Sequence, residues 1–148
     1  MQRGGLGRDG RRSQGGSVAR EALIVSCAVS AGVHGALTPE HLREEPAAGT
    51  GFLVSTVLLA VVCVALALWP VSRAAVVAAG GVLAGLVVAY AFAVTTGIPV
   101  LHPGPEPADE LGLATKAIEL VGLAAALHLT ADGRRAGRLT RLQPKGSR

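Results

Sequence analysis

The chain has 148 residues, 50% of them hydrophobic, 16% charged and 3% aromatic, with a net charge of +4 and a mean hydropathy of +0.47. Soluble domains are nearer a quarter charged, and aromatic side chains usually carry much of a soluble core's buried area. The composition therefore argues against a cytosolic enzyme, a disulfide scaffold and a disordered chain. It points to a small integral membrane protein, an all-α membrane four-helix bundle of two antiparallel hairpins.

Four apolar stretches follow one another: Ala22 to Leu37, Phe52 to Trp69, Ala74 to Val94 and Leu111 to Thr130. A helix needs about 20 apolar residues to cross the hydrocarbon core. The second and third stretches meet that without a single charge, and none of the four contains proline. The first is driven by Leu23, Ile24, Val25, Val29, Val33 and Leu37. At roughly −0.5 kcal/mol each they contribute about −3 kcal/mol, opposed by Ser26, Ser30 and His34. The fourth gains about −4 kcal/mol from its aliphatics, against Lys116 and Glu119 at roughly +2.5 to +3.5 kcal/mol each near a helix centre. The outer two helices are thus expected to depend on packing against the inner pair. A membrane strand alternates polar and apolar residues, and these runs do not.

The charges sort by side. Arg3, Arg8, Arg11, Arg12, Arg20, Arg73, Arg134, Arg135, Arg138, Arg141, Lys145 and Arg148 fall in the tails 1–21 and 131–148 and in the turn 70–73, with only Asp9, Glu21 and Asp132 as acids. The loops 38–51 and 95–110 hold Arg43 against Glu40, Glu44, Glu45, Glu106, Asp109 and Glu110. Positive residues stay cytoplasmic, so a multi-pass protein of the cell (inner) membrane with both termini cytoplasmic is expected. The basic pI of 9.8 is then read as orientation and attraction to anionic lipid, not nucleic-acid binding. A cleaved signal peptide is the alternative for the first stretch, with small residues near Ala31. Ile24-Val25-Ser26-Cys27 also looks like a lipoprotein site, but only four apolar residues precede the cysteine, too few for an h-region.

Both tails, 1–21 and 131–148, read as disordered basic cytoplasmic segments. Trp69-Pro70 ends the second helix at the inner interface, and the short turn makes helices two and three an antiparallel hairpin. Gly81, Gly85, Ala89 and Ala93 form a small-residue stripe at spacing four in the third helix. Such a stripe lets helices approach closely, here expected within the chain, with a homodimer or larger membrane complex as the alternative. Cys27 and Cys63 read as small packing residues. No zinc spacing, P-loop, GxGxxG, GxSxG or HExxH is present, so no catalytic residue and no cofactor is assigned.

The informative residues are the polar ones inside the apolar stretches. At 1.5 Å per residue, Lys116 and Glu119 lie roughly 8 and 12 Å below the outer end of the fourth helix. His34 and Tyr90 fall at similar depth, and ionisable groups in a membrane face the bundle interior and find partners. Lys116 and Glu119, three apart, can pair. The Ser26/Ser30/His34 face of the first helix is expected to meet the Thr115/Glu119/Gly122 face of the fourth. His34, Tyr90, Lys116 and Glu119 are therefore the candidate ligand- or proton-binding residues, with a structural lock as the competing role. Glu40, His41, Glu44 and His102 form a candidate polar cap in the outer loops. Imidazole with carboxylate suits divalent metals, though no spacing here is diagnostic. Axial ligation of one haem by His34 and His128 fails, because they lie roughly 20 Å apart along the bundle.

His34-Gly35-Ala36-Leu37-Thr38-Pro39-Glu40-His41-Leu42, Thr95-Thr96-Gly97-Ile98-Pro99 and Leu111-Gly112-Leu113-Ala114-Thr115-Lys116-Ala117-Ile118-Glu119 resemble uncharacterised four-helix integral membrane proteins of high-GC actinobacteria. The similarity spans roughly residues 22–130 and implies a fold and a membrane, not an activity. The expected role is that of a non-enzymatic accessory or interaction protein. A small proton-coupled transporter or ion-handling protein using Glu119 is the alternative, and metal or haem binding by outer-face histidines a second one.

Overall fold

The computed structural model describes the backbone of residues 6–98 and 104–142, and side chains within 15–98 and 104–134. It is an all-α four-helix bundle: α1 (Leu6–Glu44), α2 (Pro46–Leu68), α3 (Arg73–Thr95) and α4 (Glu110–Leu142). All four contain a segment long and apolar enough to cross a membrane. Helix α1 packs on α2 and α4, α3 packs on α4 and α2, and α1 touches α3 across the diagonal.

The contacts give the register. Arg20 donates to the Leu66 carbonyl, Cys63 Sγ lies 3.7 Å from the Ile24 carbonyl, and Gly35 lies beside Thr56, so α1 and α2 run antiparallel. Arg73 reaches the Gly133 carbonyl, Gly80 lies against Ala126 and Tyr90 against Gly112, so α3 and α4 do the same. Ser26 meets Gly122 and Ser30 meets Glu119, which makes α1 and α4 antiparallel as well.

The buried apolar side chains are few and mostly small: Leu23, Cys27, Leu59, Val62, Leu66, Ala75, Ala79, Leu83, Ala125 and Ala126. Large aliphatics point outward instead, among them Val57 (53% exposed), Val61 (60%), Val77 (60%), Val121 (58%) and Leu127 (63%). In water that surface would cost a great deal, whereas in lipid it costs nothing, and small residues inside let the helices close up by dispersion.

Three expectations are corrected. The loop expected at 38–51 is helical apart from Glu45, which alone separates α1 from α2. Helix α1 runs straight through Pro39, and Pro46 opens α2 at its first position, where its missing N–H is no loss. An interior proline forfeits one backbone bond at about 3 kcal/mol. The residues on either side keep their helical backbone bonds, so the helix outlasts that single loss. The corner closes because Gly49 has no side chain: a Cβ there would lie 2.6 Å from Leu42 Cα.

The tails differ too. Residues 6–21 continue α1 and 131–142 continue α4, where no regular structure was expected. Propagating an existing helix needs no new nucleus, and alanine, leucine and arginine are good helix formers. Arg20 and Arg73 also tie this end of the bundle to the Leu66 and Gly133 carbonyls.

The small-residue stripe is the third correction. A Cβ added at Gly81 or Gly85 meets nothing within 4 Å, and Ala89 is exposed, so these residues do not bring α3 close to another helix of the chain. The inward face of α3 is Ala75, Ala79 and Leu83, two residues and about 200° away. The facing Gly122, Ala125 and Ala126 of α4 decided which face turned in, leaving Gly81 and Gly85 to lipid or to another chain, while Ala89 and Ala93 line the cavity described below.

Candidate functional site

The site begins at the α1/α4 interface. In α1, Ser26, Ser30, His34 and Thr38 follow at spacing four and are all buried. In α4, Thr115, Glu119 and Gly122 form the matching stripe, also buried. The two faces meet as expected, because Gly122 leaves room for Ser26 and brings the backbones together.

Glu119 has 0% exposed surface and both carboxylate oxygens engaged. Ser30 Oγ donates to Oε1 at 2.6 Å, and Lys116 Nζ donates to Oε2 at 2.5 Å. Charge-assisted bonds of this length are the strong kind. The ammonium also sits 5.5 Å from the centre of the Tyr90 ring, within cation–π range. His34 Nδ1 donates to the Ser30 carbonyl at 2.9 Å and lies 3.4 Å from Ser30 Oγ. His34, Tyr90, Lys116 and Glu119 thus fall into one neighbourhood, with Ser30 as the link. The Tyr90 hydroxyl is buried without a hydrogen-bond partner, and the ring rests where Gly112 has no side chain.

Above this node, toward the end of the bundle away from both termini, lies a cavity of about 430 Å³. All four helices contribute, through residues such as His34, Phe52, Leu86, Tyr90, Thr115 and Lys116. Phe52 of α2 organises the histidines: its ring centre is 5.4 Å from that of His34 and 4.2 Å from that of His41. His41 donates its Nδ1 proton to the Leu37 carbonyl at 2.9 Å.

The expected polar cap divides. His41 lines the cavity, Glu40 and Glu44 are exposed on α1, and His102 lies outside the described residues. Among the described residues no three His, Cys, Asp or Glu side chains gather as metal ligands.

Several contributors escaped the sequence reading. Asp109 caps α4, accepting from the Gly112 N–H at 2.6 Å while its carbonyl accepts from Leu113 N at 3.0 Å. The signal was present, an aspartate just ahead of an apolar run. Phe52 and Ser55 had no such signal, since their place in the wall depends on the α1/α2 register. The 95–110 connection is tied back by Glu106 N donating to the Ala93 carbonyl at 3.0 Å, and Gly97 takes φ 73°, the left-handed turn after α3 that suits glycine.

Compared with family models, curated proteins and solved structures, the chain matches none.

Proposed function

We propose that this is a small multi-pass protein of the cell (inner) membrane, with both termini cytoplasmic, working as a non-enzymatic accessory or interaction protein. Its Ser30–Glu119–Lys116 node serves as a lock that sets the register of α1 against α4. The observation that carries the reading is the full satisfaction of Glu119: no exposed surface, a hydroxyl on one oxygen and an ammonium on the other. A buried ion pair adds little net stability over an apolar pair, but removing one partner is expensive, so it disfavours wrong registers. The arrangement of protons also speaks against nucleophilic catalysis at Ser30. Its hydroxyl proton lies on Glu119 and the His34 Nδ1 proton on a carbonyl, so the imidazole is not placed to take a proton from the serine. Lys116, by neutralising Glu119, counts against a transport role for that carboxylate.

The test compares Glu119→Gln with the double variant Lys116→Met/Glu119→Leu. Leaving the Lys116 ammonium without its counter-charge is expected to lower detergent stability by about 3 kcal/mol, and replacing both groups by apolar ones to recover most of it. The thiol of Cys27, at 0% exposure, reports unfolding by its labelling. Unchanged stability of Glu119→Gln together with loss of a pH-dependent flux would refute the lock and favour the transporter reading.

A further inference from the structure

The polar groups in the cavity wall share one property. His34 and His41 each set Nδ1 on a backbone carbonyl, at 2.9 Å in both cases. A carbonyl only accepts, so Nδ1 holds a proton, and in the neutral imidazole Nε2 then keeps its lone pair. Ser55 and Thr115 direct their hydroxyl protons to the Gly51 and Leu111 carbonyls at 2.8 and 2.7 Å, leaving oxygen lone pairs. Asp109 and Glu106 add carboxylates. Lys116 is the lining cation, and its charge is matched by Glu119 at 2.5 Å. Among the described lining side chains, donors are confined to the rest of the Lys116 ammonium and the Tyr90 hydroxyl, which is buried and unpartnered. Among the described lining residues, acceptors outnumber donors.

The rest of the wall is apolar, with Val33, Leu37, Phe52, Leu86 and Ile98 among its residues. The same end of the bundle holds Glu40, Glu44, Glu45 and Glu110 against Arg43. A net negative end of the bundle raises the local concentration of cations there. At the start of α4 the Gly112 N–H is already taken by the Asp109 carboxylate, which places a further negative charge there.

We propose that this cavity binds a lipophilic ammonium ion: an apolar body filling the wall, and an amine whose N–H groups meet the surplus of acceptors. A carboxylate or phosphate would meet the Asp109 charge and compete with Glu119 for Lys116. The inference goes beyond the lock but rests on one part of it, the pairing of the lining Lys116 with Glu119.

The full chain, reconstituted in phosphatidylcholine nanodiscs at pH 7, is titrated calorimetrically with 4-phenylbutylammonium. The alcohol 4-phenylbutanol and the anion 4-phenylbutyrate serve as matched probes, and empty discs give the partitioning background. Saturable binding of the ammonium, at least tenfold tighter than either control, is expected. Gly51→Phe, which fills the cavity from a position where a Cβ meets nothing within 4 Å, abolishes it, and Ala89→Phe does the same from α3. His34→Phe keeps a ring but removes an acceptor, and weakens binding about tenfold. Equal or tighter binding of the alcohol or the anion, uptake no greater than in empty discs, or binding that survives both filling variants in folded protein overturns the proposal. The lock fails through stability and the cavity through binding, so the two failures are distinct.

Discussion

Gly122→Ala puts one methyl group into the tightest point of the α1/α4 interface. The new Cβ would lie 2.6 Å from Ser26 Cβ and 2.8 Å from Leu83 Cδ1. Carbon atoms pack best at about 3.5–4.0 Å, so α1 must withdraw by roughly 1 Å. One turn along the same interface, the Ser30 Oγ to Glu119 Oε1 bond is 2.6 Å. Stretched by that amount it reaches about 3.6 Å and is no longer a hydrogen bond. Overpacking costs about 1–3 kcal/mol, and a side-chain hydrogen bond in a membrane protein averages about 0.6 and reaches about 1.7 kcal/mol. Together they predict a loss of about 2–4 kcal/mol. Gly81→Ala is the internal control: its Cβ meets nothing within 4 Å, and the helix-propensity gain of alanine over glycine, up to about 1 kcal/mol, makes it neutral to stabilising. The assay is equilibrium unfolding in mixed micelles, followed by helicity and by labelling of Cys27. Adding Ser26→Gly to Gly122→Ala removes the struck atoms and should recover part of the loss. A Gly122→Ala protein within about 0.5 kcal/mol of the parent, or a Gly81→Ala that costs more than Gly122→Ala, would refute this account of the packing.

Two further outcomes follow. Asp109→Ala removes the acceptor for the Gly112 N–H and should cost about 1 kcal/mol, seen as faster amide hydrogen exchange confined to the first turn of α4. For the proposed sidedness, an epitope tag at either terminus should resist protease added to intact cells and be cleaved once the membrane is opened; cleavage in intact cells would reverse the topology.

The four apolar stretches, the absence of strand alternation and the charge sorting were legible from residue order alone, because crossing lipid demands about 20 apolar residues whatever the helix touches. The meeting of the Ser26/Ser30/His34 and Thr115/Glu119/Gly122 faces was legible for the same kind of reason. Polar groups in an apolar layer have few places to go, and the spacing of four and three residues states which side of each helix they occupy. The extents of the helices were not. Pro39, Glu40 and the glycines at 49 and 51 look like a loop by propensity, and only the contact of Gly49 with the Leu42 backbone shows why a single residue suffices for the corner.

What tertiary structure alone decided was rotation. The sequence of α3 offers two small-residue faces, Gly81/Gly85/Ala89/Ala93 and Ala75/Ala79 with Leu83, and nothing local ranks them. The second turned inward because it fits Gly122 and Ala126 of α4. That choice carried Tyr90 over Gly112 and beside Lys116, and helped shape the cavity above Glu119. Length and charge decide that a helix crosses, whereas which face it shows its neighbours is a property of the neighbours' shape.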